Sequence, residues 1–256
     1  MLLVIDIGNT HTVMGLFDGE RLAHRWRVAT DIRKTADEYG LLLSSLISRA
    51  GLSDTDVRGV GICSVVPPLS DVFMQAVKNL FGVSAMLVGP GVKTGMPILY
   101  ENPAEVGSDR IANALAAYQE ARGPVIIVDL GTATTFCAVS KKGEYLGGSI
   151  VPGVGISADA LFARTAKLPR VEIKKPAAVI GRTTVSSIQS GLFFGHLCMV
   201  EGMISRITSE LQFETRPRVF ATGGLAELFG KETALIDVVD PYLTLKGIRI
   251  IYDKNT

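Results

Sequence analysis

Two stretches of this chain place a carboxylate, a glycine and a cluster of hydroxyl or amide side chains directly after an apolar run. Asp6-Ile7-Gly8-Asn9-Thr10-His11-Thr12 follows Leu2 to Ile5, and Asp129-Leu130-Gly131-Thr132-Ala133-Thr134-Thr135 follows Val125 to Val128. Glycine after a strand lets the backbone turn sharply and come close to a ligand. The Asn and Thr side chains supply donors suited to phosphate oxygens. A carboxylate beside phosphates needs a cation between them, and Mg²⁺ commonly reaches protein through one or two carboxylates, often by way of water. The pair Asp6 and Asp129 therefore implies metal ions as well as a nucleotide. A strand-ending Asx turn accounts for the first stretch, and the strand preference of Thr for the second. Two copies in register are harder to explain by either.

Behind these residues stands an internal repeat. An offset of 123 superimposes Asp6 on Asp129, Gly8 on Gly131 and Thr12 on Thr135. Each copy is followed by a strand-like stretch, a turn containing Gly-Glu (Gly19-Glu20 and Gly143-Glu144) and more strand. Such self-similarity fixes architecture before any other signal. It predicts two related halves, 1–123 and 124–256, cut near Gly123-Pro124. Two acidic turns facing each other would clamp phosphates. Like charges in one cleft would raise each other's pKa unless cations neutralised them.

A third constellation, Gly107-Ser108-Asp109-Arg110, lies outside the repeat. Helical spacing of Ile111, Ala112, Leu115 and Ala116 follows it, and Asn102-Pro103-Ala104-Glu105 precedes it as a helix-start signal with Gly107 as a break. Ser108 or Asp109 as a simple helix cap is one reading. Asp109 facing a substrate hydroxyl, with Arg110 binding an anion, is the other. Thr222-Gly223-Gly224 follows a short strand and would let an adenine or ribose lie flat on backbone, or would merely form a turn. His11, His24 and His196 have no metal spacing and are read as structural.

The elements that must hold these residues alternate strand and helix. Strands are expected at Leu2–Ile7, Thr12–Phe17, Arg21–Val28, Val57–Val66, Ser84–Val88, Val125–Asp129, Thr135–Ser140, Tyr145–Val151 and Arg218–Ala221. Helices are expected at Thr35–Ala50, Leu69–Phe81, Gly155–Ala166, Val185–Gln212 and Leu225–Phe229. The segment Pro241–Tyr252 reads as helix against the strand preference of Gly247, Ile248, Ile250 and Ile251. Lys- and Pro-containing Pro169–Arg182 reads as an exposed connection. The 256 residues are 47% hydrophobic and 20% charged with net charge +1, an ordinary globular composition that points to no nucleic-acid or acidic-lipid surface. Cys63, Cys137 and Cys198 are scattered, match no zinc or redox spacing and suit a reducing compartment. A start with no basic leader and no membrane-length apolar run leads to the expectation of a soluble, cytoplasmic protein outside any membrane.

Strand–turn–strand phosphate loops in two similar halves resemble the acetate and sugar kinase, heat-shock chaperone and actin superfamily. Asp6-Ile7-Gly8-Asn9-Thr10, Gly107-Ser108-Asp109-Arg110 and Asp129-Leu130-Gly131-Thr132-Ala133-Thr134-Thr135, in this order and at these separations, resemble type III pantothenate kinase over essentially the whole chain. The resemblance implies an α/β fold of two actin-like, ribonuclease H-like halves, each a mixed sheet flanked by helices, with a nucleotide cleft between them. It implies a transferase that phosphorylates pantothenate with ATP to 4′-phosphopantothenate, the first step of coenzyme A biosynthesis. On it, Asp6, Ile7, Gly8, Asn9, Thr10, His11, Thr12 and Val13 form the first ATP loop, with Asp6 assisting Mg²⁺ through water, and Thr132 contacts the nucleotide phosphates. Asp129 holds a monovalent cation, K⁺ or NH₄⁺. Pantothenate lies against Tyr100, Gly107, Ser108, Asp109, Arg110 and Thr184, and Asp109 is the catalytic base. The resemblance also implies a homodimer, for which the Val185–Gln212 helix with Phe193, Phe194 and Met199 is a candidate interface; plain intrachain core is the alternative.

The charge of Arg110 leads to the expectation that Asp109 titrates low and takes the hydroxyl proton late in a loose phosphoryl transfer. Two rival classes share these residues. One is a kinase for another small hydroxyl compound, or a phosphatase-like hydrolase. The other is a regulatory or accessory protein that keeps the fold, against which the three carboxylates argue.

Overall fold

The first apolar run becomes β1 (Leu2–Ile7), in a computed structural model that describes residues 1–256. Its nearly continuous burial is that of a strand covered on both faces. β1 pairs antiparallel with β2 (His11–Asp18), which turns through Asp18-Gly19 into antiparallel β3 (Arg21–Ala29). α1 (Ala36–Arg49) opens on a capping box. Thr35 Oγ1 accepts from the Glu38 N–H at 3.3 Å, and Glu38 Oε2 accepts from the Thr35 N–H at 2.8 Å. β4 (Gly59–Ser64) runs parallel to β1, and after α2 (Pro67–Phe81) comes β5 (Met86–Leu87), parallel to β4. Pro67 and Pro68 not only end the strand but form the first turn of α2, where a missing N–H costs nothing. The sheet order is β3-β2-β1-β4-β5.

A single 3₁₀ turn, Pro103–Glu105, precedes α3 (Ser108–Ala121), so the expected break near Gly107 is present. The second half then repeats the first strand for strand. β6 (Val125–Leu130), β7 (Ala133–Val139) and β8 (Tyr145–Pro152) form an antiparallel meander. α4 (Val154–Arg164) and α5 (Thr184–Leu211) follow, then β9 (Arg218–Thr222), α6 (Ala226–Gly230) and β10 (Val238–Val239). The order is β10-β9-β6-β7-β8, with β9 parallel to β6 and β10 parallel to β9. Both sheets are thus mixed, five-stranded and wired alike. β10 has no counterpart in the sequence reading, because two residues leave no periodicity.

The chain divides into two compact units, Met1–Gly95 with Asn102–Ala116 and Leu243–Thr256, and Met96–Glu101 with Ala117–Tyr242. The C-terminal segment is helical, as α7 (Leu243–Asp253), and packs on β1, β2 and β4 of the first unit. Burial of Leu243, Leu245, Ile248, Ile250 and Ile251 along this helix overrides the strand preference of the three isoleucines. In the first unit Leu3, Ile5 and Ile7 of β1 meet Tyr39, Leu43 and Ile47 of α1 and Leu69, Phe73 and Val77 of α2. In the second, Ile126, Val128 and Leu130 meet Phe193, Leu197, Val200 and Ile204 of α5. Phe193 is fully buried there. It is therefore intrachain core, which corrects its inclusion in a candidate interface; Phe194 and Met199 are partly buried beside it. No helix is long and apolar enough to cross a membrane.

Candidate active site

The first acidic turn joins β1 to β2. Ile7 pairs with Thr12, so Gly8, Asn9, Thr10 and His11 form the connection, closed by the Gly8 N–H donating to His11 O at 3.1 Å. Thr30, just past β3, fastens it from outside. Its N–H donates to Thr10 O at 3.0 Å, its Oγ1 donates to Gly8 O at 2.7 Å, and the buried Thr12 Oγ1 lies 2.9 Å from that same hydroxyl. His11 Nδ1 accepts from Arg27 Nη2 at 2.9 Å. Burial first, and then the Arg27 charge, lowers the His11 pKa, which favours the neutral imidazole.

Asp6, next to last in β1, lies on the face opposite the core that α1 and α2 cover, since Ile5 and Ile7 point into that core. In the parallel ladder Asp6 pairs with Cys63 of β4. Cys63 is fully buried and its thiol donates to Ser108 Oγ at 3.1 Å. Ser108 opens α3 and its hydroxyl also reaches Ser64 O at 3.4 Å. The next residue, Asp109, accepts from the Arg110 N–H at 2.8 Å through Oδ1. Asp6 and the Gly107–Arg110 segment are thus brought together through β4. Gly107 leaves room for the Asp109 carboxyl, since a Cβ there would lie 2.5 Å from Asp109 Oδ1 and turn it aside.

The electrostatics of Asp109 correct the expectation from sequence. Its pKa is raised, not lowered: burial of the carboxyl outweighs the backbone hydrogen bond from Arg110 and the Arg110 charge. The residue keeps some exposure while the carboxyl itself is packed inside. Sequence neighbours report the Arg110 charge but not how far α3 is buried. Residues 111 to 117 of that helix are all buried.

The second acidic turn is one residue tighter. Leu130 pairs with Thr134, and the Gly131 N–H donates to Ala133 O at 3.1 Å. Thr134 rather than Thr135 is therefore the counterpart of Thr12, a shift that an ungapped offset of 123 cannot express. Both threonines are buried, and where Thr12 meets Thr30, Thr134 Oγ1 lies 3.0 Å from His196 Nε2 of α5. Burial lowers the His196 pKa. Asp129 pairs with Thr222 in the parallel ladder, and Gly223 follows at a positive φ of 92°. A Cβ on Gly223 would lie 2.4 Å from Asp129 Oδ1 and 2.8 Å from Leu130 N. The glycine therefore lets the β9 turn close over the Asp129 carboxylate. Thr132 lies in the turn, its carbonyl accepting from the Gly153 N–H at 3.2 Å.

Two further residues named from the resemblance belong to this second unit. Tyr100 is carried by Met96–Glu101, which is tied to β8 by Leu99 N–H to Tyr145 O and Tyr145 N–H to Pro97 O, each 2.8 Å. Thr184 is the first residue of α5, behind the Thr183 cap, and lines an open groove of about 850 Å³ with Leu161, Arg182 and Ile188. Cys63 and Thr30 escaped the sequence reading. Neither lies in a motif, and only the pairing of β1 with β4, or the course of β3, brings them to the loop.

No group of three or more His, Cys, Asp or Glu side chains is assembled to hold a metal by itself. One or two carboxylates suffice for an ion that arrives with phosphates. Asp6 in the first unit and Asp129 in the second each stand next to last in a strand that leads into a Gly-containing turn, a placement that fits such a role.

A sequence profile of the family described as type III pantothenate kinase matches residues 2–206. A type III pantothenate kinase from Brevibacillus brevis is 54% identical over 255 residues, covering 100% of this chain and 99% of the relative. Among solved structures, a Campylobacter jejuni protein described as a Baf family transcriptional activator aligns with TM-score 0.62 at 18% identity, covering 99% of this chain and 98% of that one. A ROK hexokinase from Thermus thermophilus aligns with TM-score 0.52 at 15% identity, covering 100% of this chain and 99% of that one. At these identities the structures attest the fold, which is that of the actin-like sugar kinases. The profile and the full-length relative go further: this chain belongs to the type III pantothenate kinase family.

Proposed function

We propose that the protein transfers the γ-phosphoryl group of ATP to the primary hydroxyl of pantothenate, giving 4′-phosphopantothenate at the entry to coenzyme A biosynthesis. The observation that carries this reading is the 54% identity to a type III pantothenate kinase along the full chain. In this reading Asp6 to Val13 hold ATP phosphates on backbone and hydroxyl donors, and Thr132 adds a contact from the second turn. Mg²⁺, when bound, neutralises phosphate charge, with Asp6 holding it through water. Asp129 holds a monovalent cation, K⁺ or NH₄⁺. Pantothenate is oriented by Tyr100, Gly107, Ser108, Arg110 and Thr184.

Asp109 positions the attacking hydroxyl and takes its proton. Its Oδ1 is held by the Arg110 N–H, which fixes the carboxyl for that task in this reading. Phosphoryl transfer runs through a loose transition state, so alignment and charge neutralisation dominate and the proton moves late. The raised pKa makes Asp109 a stronger base than an exposed carboxylate once it is ionised. The protein acts as a cytoplasmic homodimer in this reading, its exposed Leu161, Phe162 and Val185 belonging to the apolar surface that a second copy would cover.

The test is ADP release from Mg-ATP with and without pantothenate, in potassium and in sodium buffer. Pantothenate-dependent ADP formation is the expected result. ADP formed without pantothenate would replace this reading with another acceptor or with hydrolysis, and its complete absence would leave a regulatory protein.

A further inference from the structure

The one thiol beside the first loop has no part in the chemistry so far. Cys63 lies at the end of β4, in register with Asp6, and is fully buried. Its Sγ–H donates to Ser108 Oγ at 3.1 Å across a sequence separation of 45 residues, and the same serine hydroxyl reaches back to Ser64 O at 3.4 Å. Two contacts therefore tie the first residue of α3 to the end of the strand beside Asp6. Asp109 is the next residue of that helix. Full burial disfavours the thiolate that a nucleophile or a soft-metal ligand requires. Burial first, then the charges of Asp6 and Asp109, raises its pKa far above the ordinary thiol range. A thiolate would be a third anion in a site that already gathers two. What remains to Cys63 is the neutral S–H donor.

We propose that Cys63 is a positioning residue: its thiol ties the start of α3 to β4 and so sets the separation between the Asp109 and Asp6 carboxylates. The proposal rests on the reading of Asp109 and Asp6 as base and Mg-ATP carboxylate. A 1 Å misplacement of a reacting group is costly in a reaction governed by alignment. Plain filling of space by a small buried thiol is the competing account, and the two differ in what substitution does. Cys63→Ala removes the donor and frees Ser108. Cys63→Ser keeps a donor at the same place.

The experiment measures kcat, KM for ATP and thermal stability for Cys63→Ala, Cys63→Ser, Ser108→Ala and the double variant Cys63→Ala/Ser108→Ala. A tie acting through Ser108 lowers kcat of Cys63→Ala about tenfold with KM for ATP within about twofold, the scale of a buried network contact. Cys63→Ser recovers most of that loss, and the double variant is no slower than Ser108→Ala alone. A lowered melting temperature with unchanged kcat, or losses that multiply in the double variant, would overturn the proposal. Should the wild-type protein show no pantothenate-dependent turnover, the functional reading fails by itself. The tie is then read from hydrogen exchange of the first amides of α3, which speeds up in Cys63→Ala but not in Cys63→Ser; unchanged exchange in Cys63→Ala sinks the proposal.

Discussion

Asp109 combines two demands that pull against each other. In its proposed role as base it must lose its proton to act, yet burial here favours the protonated form. Turnover should accordingly fall as pH drops through a pKa above the ordinary carboxylate value. Asp109→Asn keeps the shape and removes the acceptor; it should cut kcat by roughly two to four orders of magnitude, and near-normal turnover would remove Asp109 from the mechanism. The same residue should register in stability. With its folded pKa raised above 3.8, the folded state holds the proton more tightly than the unfolded chain. Its favourable contribution is present in full below pH 3.8 and is lost as pH rises through the higher folded value. Denaturant titrations should therefore find Asp109→Asn more stable than the parent at neutral pH, with the advantage disappearing below that value. At the other loop, Asp129→Ala should abolish activation by potassium. Retained potassium dependence would move the cation elsewhere.

At the scale of elements, loops and strands were legible in proportion to their periodicity. The apolar runs Leu2 to Ile5 and Val125 to Val128 announced β1 and β6, and a helix was expected from Thr35, which proves to be the cap of α1. The acids of the site stood out because carboxylates at strand ends before glycine are uncommon company. What the sequence hid was whatever depends on a neighbour distant in the chain: the one-residue tightening of the second turn, Thr30 behind the first, and Cys63 behind Asp109. Gly247 shows the same limit. On propensity it weakens α7, and alanine should improve it by about 1 kcal/mol. In the fold a Cβ at that position would lie 2.0 Å from Ala112 O of α3. Gly247→Ala should therefore destabilise the protein by about 1–3 kcal/mol, the usual cost of overpacking. A gain in the midpoint of urea unfolding would show that α7 can move off α3 freely.

At the scale of the whole molecule, two sheets of identical wiring account for the paired motifs. Each sheet carries one acidic turn; the first has the Cys63–Ser108–Asp109 neighbourhood beside it, and the second has the Thr222–Gly223 turn over Asp129. Sedimentation equilibrium should give twice the mass of one chain, with Leu161→Glu or Phe162→Glu reducing it to a single chain. A single-chain mass for the unsubstituted protein would end the dimer reading. The placement of α7 bears on how the molecule is made. The ribosome delivers β1, β2 and β4 early, but the helix that covers them follows the entire second unit. During synthesis the N-terminal sheet must wait with one flank uncovered while its sibling is completed, so nascent chains stalled before Leu243 should be the ones that chaperones hold and proteases cut.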